Sequence, residues 1–420
     1  MEPLIGLALL LFGAKMGGIL FSKLKQPSLA GELLAGVILG PTILNLVTLS
    51  PLINTVSQLG LLFLILLVSL SIDWKVLEGN TEKYIFIEIF RVILTLGAVY
   101  VLGMFFAWDT FMFLIMGFIV ILSSTAIASR ALADMREVGS SEGQALLGLE
   151  VVDEVVAIIV VAILANFLSG AAFTIEPLIT TVLIVVGLFV VMSRVGYKFI
   201  NRLIHTIQKY GIEEAMLAFT LLLAFLLGSL TEGLHLASIL GVFIAGMILS
   251  KSSQYVVITR KVKDIGEGFF IPIFFAAVGL SINLFAAASD LNFFLMIIGS
   301  ILGIKLVTTF VALKTFGFSG KESFKIGTGF VTLSEMTIVI VALAVTKLSP
   351  AIQAVIIGSF IIVNAVSPLL MNFAFKNQGI YKSLSGMPKV SPQRKWHGSY
   401  RLPVNHSENI RPRRWSPMKT

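Results

Sequence analysis

The chain has 420 residues, of which 57% are hydrophobic and 13% charged, with a formal net charge of +8 and no cysteine. Soluble domains carry about a quarter charged residues, so this composition excludes that class and points to a chain built for lipid. The missing cysteine excludes disulfides, thiolate metal sites and cysteine nucleophiles. The charge distribution argues against nucleic acid: ten Lys/Arg and one acid, Glu408, fall between Lys376 and Thr420, which leaves 21 basic and 22 acidic side chains elsewhere.

Apolar runs of about 20 residues, each long enough to cross a hydrocarbon core, recur along the chain. In order they predict an all-α polytopic membrane protein with thirteen spans, at 2–22, 28–47, 53–72, 84–107, 111–133, 143–168, 176–200, 212–230, 236–250, 256–280, 291–313, 322–346 and 350–375. The first holds Lys15 and lacks a small-residue cleavage site, so it reads as a retained span and not as a signal peptide. Residues 1–375 form the transmembrane domain. The basic tail, 376–420, is too short and polar for a folded core and is expected to be disordered or to lie on the anionic inner leaflet.

Orientation follows from the positive-inside rule. With the N-terminus outside and the C-terminus cytoplasmic, 27 Lys/Arg fall in inner loops and the tail, and only Lys347 falls in an outer loop. Lys15, Arg91 and Lys305 remain inside spans. Thirteen divides as six, one and six, with span 1 running inward and span 8 outward. The two halves are therefore expected to be inverted repeats, with spans 4 and 11, 5 and 12, and 6 and 13 corresponding. Secondary transporters place their site at such a repeat interface. The expectation rests on topology, because the halves share little sequence.

Ionisable groups in mid-span are the informative residues. Span 6 carries Glu150, Asp153 and Glu154 at i, i+3 and i+4, on one helical face. Each costs about 2.5–3.5 kcal/mol at a helix centre, more than the apolar neighbours return, so this face must line a bundle interior or a wet cavity. Lys305 in span 11 is a candidate partner for Asp153 or Glu154. Glu88 and Arg91, at i and i+3 on span 4, read as a structural pair and not as a transport site.

Spans 5 and 12 are candidate broken helices. Ser123, Ser124 and Thr125 interrupt one apolar run, and Gly327 to Thr337, with Ser334 and Glu335, interrupt the other. Ser/Thr and Gly permit unwinding where neighbours re-satisfy the backbone, and half-helix ends can hold ions or balance charge. Glu335 suits positive half-helix ends and Lys305 negative ones. Packing glue between helices explains the same Ser and Thr equally well.

These residues resemble the cation:proton antiporters of the Kef/NapA-like branch, the sodium/hydrogen exchanger type, over residues 1 to about 375. Gln26 to Pro41 looks like that family's second helix, and Leu122 to Ala128 like its crossed-helix segment. Leu240 to Met247 and Phe274 to Ile282 are similar to two further stretches. The resemblance implies a NapA/NhaA-like fold with discontinuous crossed helices, a homodimer, and a prokaryotic plasma-membrane location. It implies exchange of Na+ or K+ for H+ by alternating access, with no cofactor and no enzymatic activity. The family's paired acids map onto Asp153 and Glu154 as ion ligands, with Thr125 adding a hard oxygen; the second acid is ordinarily aspartate. Glutamate carries its carboxylate about 1.5 Å further from the backbone, one C–C bond. Glu150 is a third acid where the family is usually apolar. Lys305 resembles the basic residue that pairs with the first acid in some members. Kef-type members usually carry a C-terminal nucleotide-binding domain, where this chain has its basic tail. A sodium-coupled symporter for an organic solute, a K+/H+ exchanger, and a channel or sensor are the alternatives; adjacent acids with a mid-span lysine favour exchange.

Overall fold

The computed structural model describes residues 2–24, 26–71, 81–168, 213–233, 238–252, 254–283, 285–286 and 291–376, with positions 187, 202 and 204 in isolation. The expected span at 176–200 and the tail beyond Lys376 lie outside the described residues. Every regular element among the described residues is helical. The first set comprises α1 (Pro3–Lys23), α2 (Ser28–Leu39), α3 (Pro51–Leu70), α4 (Thr81–Phe105), α5 (Thr110–Ile121), α6 (Thr125–Met135) and α7 (Ser141–Leu168). The second comprises α8 (Glu213–Gly233), α9 (Ser238–Ser250) and α10 (Tyr255–Ile265), which runs through a π-helical turn (Gly266–Phe270) into α11 (Ile271–Leu280). It continues with α12 (Leu291–Thr315), α13 (Gly320–Phe330), α14 (Met336–Ala344) and α15 (Pro350–Lys376).

Among the described residues, seven stretches are long and apolar enough to cross a membrane: α1, α3, α4, Thr110–Met135, Ala215–Gly233, α12 and Pro350–Phe375. The others fall short for identifiable reasons. Helix α7 has the length, but Glu150, Asp153 and Glu154 sit in its middle. Helices α13 and α14 are halves of an interrupted run. The expected span 28–47 stops being helical at Leu39, because Gly40-Pro41 follows and a residue before proline is pushed out of the helical region.

The helices repeat in a fixed register. An offset of 210 residues carries the last residue of α3, Leu70, to that of α11, Leu280, and the last residue of α4, Phe105, to that of α12, Thr315. It carries the N-cap of α5, Asp109, to the N-cap of α13, Ser319. Contacts between the two sets obey it too. A Cβ on Gly36 of α2 would stand 2.0 Å from the Ala276 carbonyl oxygen of α11. Its counterpart, Gly246 of α9, packs on Leu66 and Ser69 of α3, and Leu66 is the residue 210 before Ala276. Each small residue lets two backbones approach where a side chain would hold them apart.

Two interruptions sit where this repeat crosses itself. Leu122, Ser123 and Ser124 separate α5 from α6, and Val331 to Glu335 separate α13 from α14. The Ser124 N–H donates to Thr332 Oγ1 at 2.9 Å, and the Ser334 N–H donates to the Leu122 carbonyl at 3.4 Å. The 210-residue offset exchanges the two bonds, since it relates Ser124 to Ser334 and Leu122 to Thr332.

Candidate ion-binding site

Unwinding a helix inside a protein leaves carbonyls and N–H groups that need partners. At the end of α5, three consecutive carbonyls find them in two buried cations. The Lys305 ammonium donates to Val120 O at 2.9 Å and Leu122 O at 2.8 Å, and Arg91 Nη1 donates to Ile121 O at 2.9 Å. Positive charge at a helix C-terminus also opposes the macrodipole there. On the other side of the break, Ser124 is the N-cap of α6, and its hydroxyl donates to Glu335 Oε2 at 3.2 Å. Glu335 itself is the N-cap residue of α14.

Asp153 is fully engaged. Its Oδ1 accepts from Arg91 Nη2 at 2.5 Å, and its Oδ2 accepts from the Ser123 N–H at 2.8 Å. Arg91 also pairs with Glu88 one turn back on α4. This corrects one expectation. The ion-pair partner of Asp153 among the described residues is Arg91, not Lys305, and the expected Glu88–Arg91 pair extends through Arg91 to Asp153. The reason is geometric: α12 delivers Lys305 to the carbonyl end of α5, where unpaired acceptors claim its protons. Its nearest side-chain partner is Ser123 Oγ, at 3.4 Å.

The other two acids of α7 meet at one hydroxyl. Thr125, the first residue of α6, places Oγ1 at 3.1 Å from Glu150 Oε2 and 2.9 Å from Glu154 Oε1. Glu150 is completely buried, and its Oε1 has no hydrogen-bond partner among the described residues. Glu154 and Thr125 are half-buried, and Ala126 beside them is exposed. A cavity of about 760 Å³ has Ser22, Lys23, Glu32, Ala126, Lys263 and Glu335 among its lining residues. Ala126 is the neighbour of Thr125 in the chain.

The structure thus brings Ser123, Ser124, Thr125, Glu150, Asp153, Glu154, Lys305, Ser334 and Glu335 to one crossing. It adds Asn364 of α15, which the sequence reading missed. The Leu333 N–H donates to Asn364 Oδ1 at 2.8 Å, and Asn364 Nδ2 donates to Leu333 O at 3.0 Å. The available signal was an amide in the middle of a 27-residue apolar helix. Among the described residues no group of three or more His, Cys, Asp or Glu gathers to hold a metal ion.

The family model described as "Sodium/hydrogen exchanger, transmembrane" matches residues 7–375. This chain belongs to the sodium/hydrogen exchanger family. Relatives agree. The "Probable Na(+)/H(+) antiporter GerT" of Bacillus cereus is 26% identical over 340 residues, 81% of this chain and 90% of that protein. The Na+/H+-K+ antiporter GerN of the same organism is 25% identical over 374 residues, covering 88% and 95%. The sodium proton antiporter MjNhaP1 from Methanocaldococcus jannaschii has a similar fold, with a TM-score of 0.68 at 18% identity over 90% of this chain and all of that one. As a member of the exchanger family this chain is a multi-pass membrane protein.

Proposed function

We propose that this exchanger trades a monovalent alkali cation for protons by alternating access, with Glu154 and the Thr125 hydroxyl as the groups that meet the cation. The observation that carries the reading is the single Thr125 hydroxyl lying between two carboxyl groups, next in the chain to Ala126, which lines the cavity. A hydroxyl has one hydrogen to donate. With two carboxyl groups around it, the site is completed by a proton or by a cation, and the two exclude each other because like charges in a low dielectric repel. Competition for one site is the elementary requirement of exchange.

In this reading Asp153 is a positioning residue. Both of its oxygens are occupied, and with Arg91 it holds the Ser123 backbone so that Thr125 heads α6 in the right place. Lys305 neutralises the carbonyl end of α5, which would otherwise present partial negative charge beside the acids. Ser124, Ser334 and Glu335 tie the two breaks together, so that the α5–α6 and α13–α14 runs move as a unit.

The constant 210-residue register supports two inverted six-helix sets joined by the span expected at 176–200, thirteen spans in all. The sequence's charge asymmetry supports an external N-terminus and a cytoplasmic basic tail at 376–420. With that orientation the cavity opens to the cytoplasm. The homodimer implied by the resemblance belongs to the same proposal. An organic-solute symporter is not favoured, since the family and the relatives are cation exchangers by name.

The test is cation-driven proton movement in sealed proteoliposomes, comparing Na+, Li+, K+ and choline. A flux with an alkali cation, absent with choline and absent in Glu154→Gln, is the expected result. Wild-type flux in Glu154→Gln would overturn the assignment.

A further inference from the structure

Glu150 has no role as a brace. Unlike Asp153 it reaches no cation, and no ion pair within the described residues includes it. Unlike Glu335 it caps no helix. One carboxyl oxygen lies against the Thr125 hydroxyl and the other, Oε1, is buried with nothing to bond. A buried carboxylate oxygen without a partner costs several kcal/mol in a protein interior, so its persistence at 0% exposure calls for a ligand. The helix geometry says where. Glu150 and Glu154 are one turn apart on α7 and both reach the same oxygen of α6, so a cation at Thr125 Oγ1 meets a carboxylate from each.

We infer that Glu150 is a second carboxylate ligand of the transported cation, and that this two-carboxylate site selects the small alkali cations Na+ and Li+ over K+. The inference rests on the exchange reading above and adds its substrate. Two formal negative charges converging on one point make a strong, closely spaced oxygen field. Such a field repays the dehydration of a small ion better than that of a large one, since Coulomb energy falls with distance. A site with one carboxylate and neutral oxygens has a weaker field and discriminates less. Hard oxygen donors without nitrogen or sulfur fit alkali cations in any case.

The experiment compares the apparent KM for Na+, Li+ and K+ in the same proteoliposome assay for wild type, Glu150→Gln and Glu154→Gln. Glutamine keeps an oxygen for the Thr125 hydroxyl, so a residue that merely orients Thr125 would tolerate it. The expected result is that wild type prefers Na+ or Li+ to K+. Glu150→Gln is expected to raise the KM for Na+ by roughly tenfold, the loss of one charge-assisted contact, and that for K+ by less. Wild type that prefers K+, or Glu150→Gln with unchanged KM values and an unchanged Na+/K+ ratio, would overturn the inference. Should Glu150→Gln fail to accumulate in the membrane, a wild-type preference for K+ still overturns the inference. Glu154→Gln separates the two levels. Flux lost there with Glu150→Gln unaltered refutes only the second ligand, whereas flux kept in Glu154→Gln refutes the site itself.

Discussion

Asp153 and Asn364 hold the two helix breaks by the same bond: each accepts a 2.8 Å hydrogen bond from a backbone N–H, that of Ser123 for Asp153 and that of Leu333 for Asn364. Ser123 and Leu333 are 210 residues apart, and the two braces are within one residue of the same offset. The difference lies in charge. Asn364 returns a hydrogen bond to the Leu333 carbonyl, while Asp153 spends its second oxygen on Arg91. One break is braced by a neutral amide and the other by an ion pair.

Replacing Asn364 with alanine leaves a buried N–H and a buried C=O without partners, each worth about 1–3 kcal/mol when unsatisfied. We expect Asn364→Ala to lower the apparent melting temperature of the detergent-solubilised protein clearly. Ser367→Ala, three residues on, is the control. The Ser367 hydroxyl is buried without a partner among the described residues, so its removal is expected to cost nothing. Equal losses in the two variants would mean that Asn364 braces nothing.

Arg91 is expected to be the most sensitive position in α4. It serves Glu88, Asp153 and the Ile121 carbonyl and stacks over the Phe330 ring, all in a buried setting. Removing one member of a buried ion pair strands the others, at about 3–5 kcal/mol, whereas replacing the whole set by neutral groups costs far less. Arg91→Met alone should therefore unfold at a much lower temperature than the triple variant Glu88→Gln, Arg91→Met, Asp153→Asn. If the triple is no more stable than the single, the charges are not what holds this corner together.

Much of this was legible in the sequence, and the limits are instructive. Hydropathy revealed an all-helical chain, and paired Ser, Thr and Gly revealed both breaks, because those signals are local. The choice between Arg91 and Lys305 as partner of Asp153 was not legible. Both are mid-span cations, and only the packing of α4 and α12 against the end of α5 tells which carbonyls each one meets. The fixed register was half visible: Gly31 and Gly36 share a five-residue spacing with Gly241 and Gly246. Without structure, nothing says that this spacing records backbone contact. Asn364 was missed because one amide in an apolar helix has no periodicity to announce it.

The cavity can be checked by chemistry that the chain makes easy, since it contains no cysteine. Ser22 and Ala126, the latter next to Thr125 in the chain, both line the cavity. In sealed vesicles, Ser22→Cys and Ala126→Cys should react with a membrane-impermeant thiol reagent from the same side. By the charge asymmetry that side is the cytoplasm. Labelling of the two positions from opposite sides would break the continuity between Ser22 and the site.

Close helix contact sets the last expectation. Gly36 and Gly97 are both glycines in membrane helices, yet they meet different surroundings. A Cβ on Gly36 would stand 2.0 Å from the Ala276 carbonyl oxygen, while one on Gly97 would find nothing within 4 Å. The obstacle at Gly36 is backbone, which cannot swing aside as a side chain can, so α2 and α11 must separate to admit a methyl group. Overpacking of this kind costs about 1–3 kcal/mol, whereas a glycine-to-alanine change at an open helical position is neutral or favourable by up to about 1 kcal/mol. Gly36→Ala should lower the melting temperature, and Gly97→Ala should leave it unchanged or raise it. Because Gly246 repeats the contact against Leu66 and Ser69, Gly246→Ala should resemble Gly36→Ala in direction. Its loss should be smaller, since the nearest atom there is the Ser69 hydroxyl, which can rotate. A Gly246 variant as stable as Gly97→Ala would show that the second contact is looser than its counterpart.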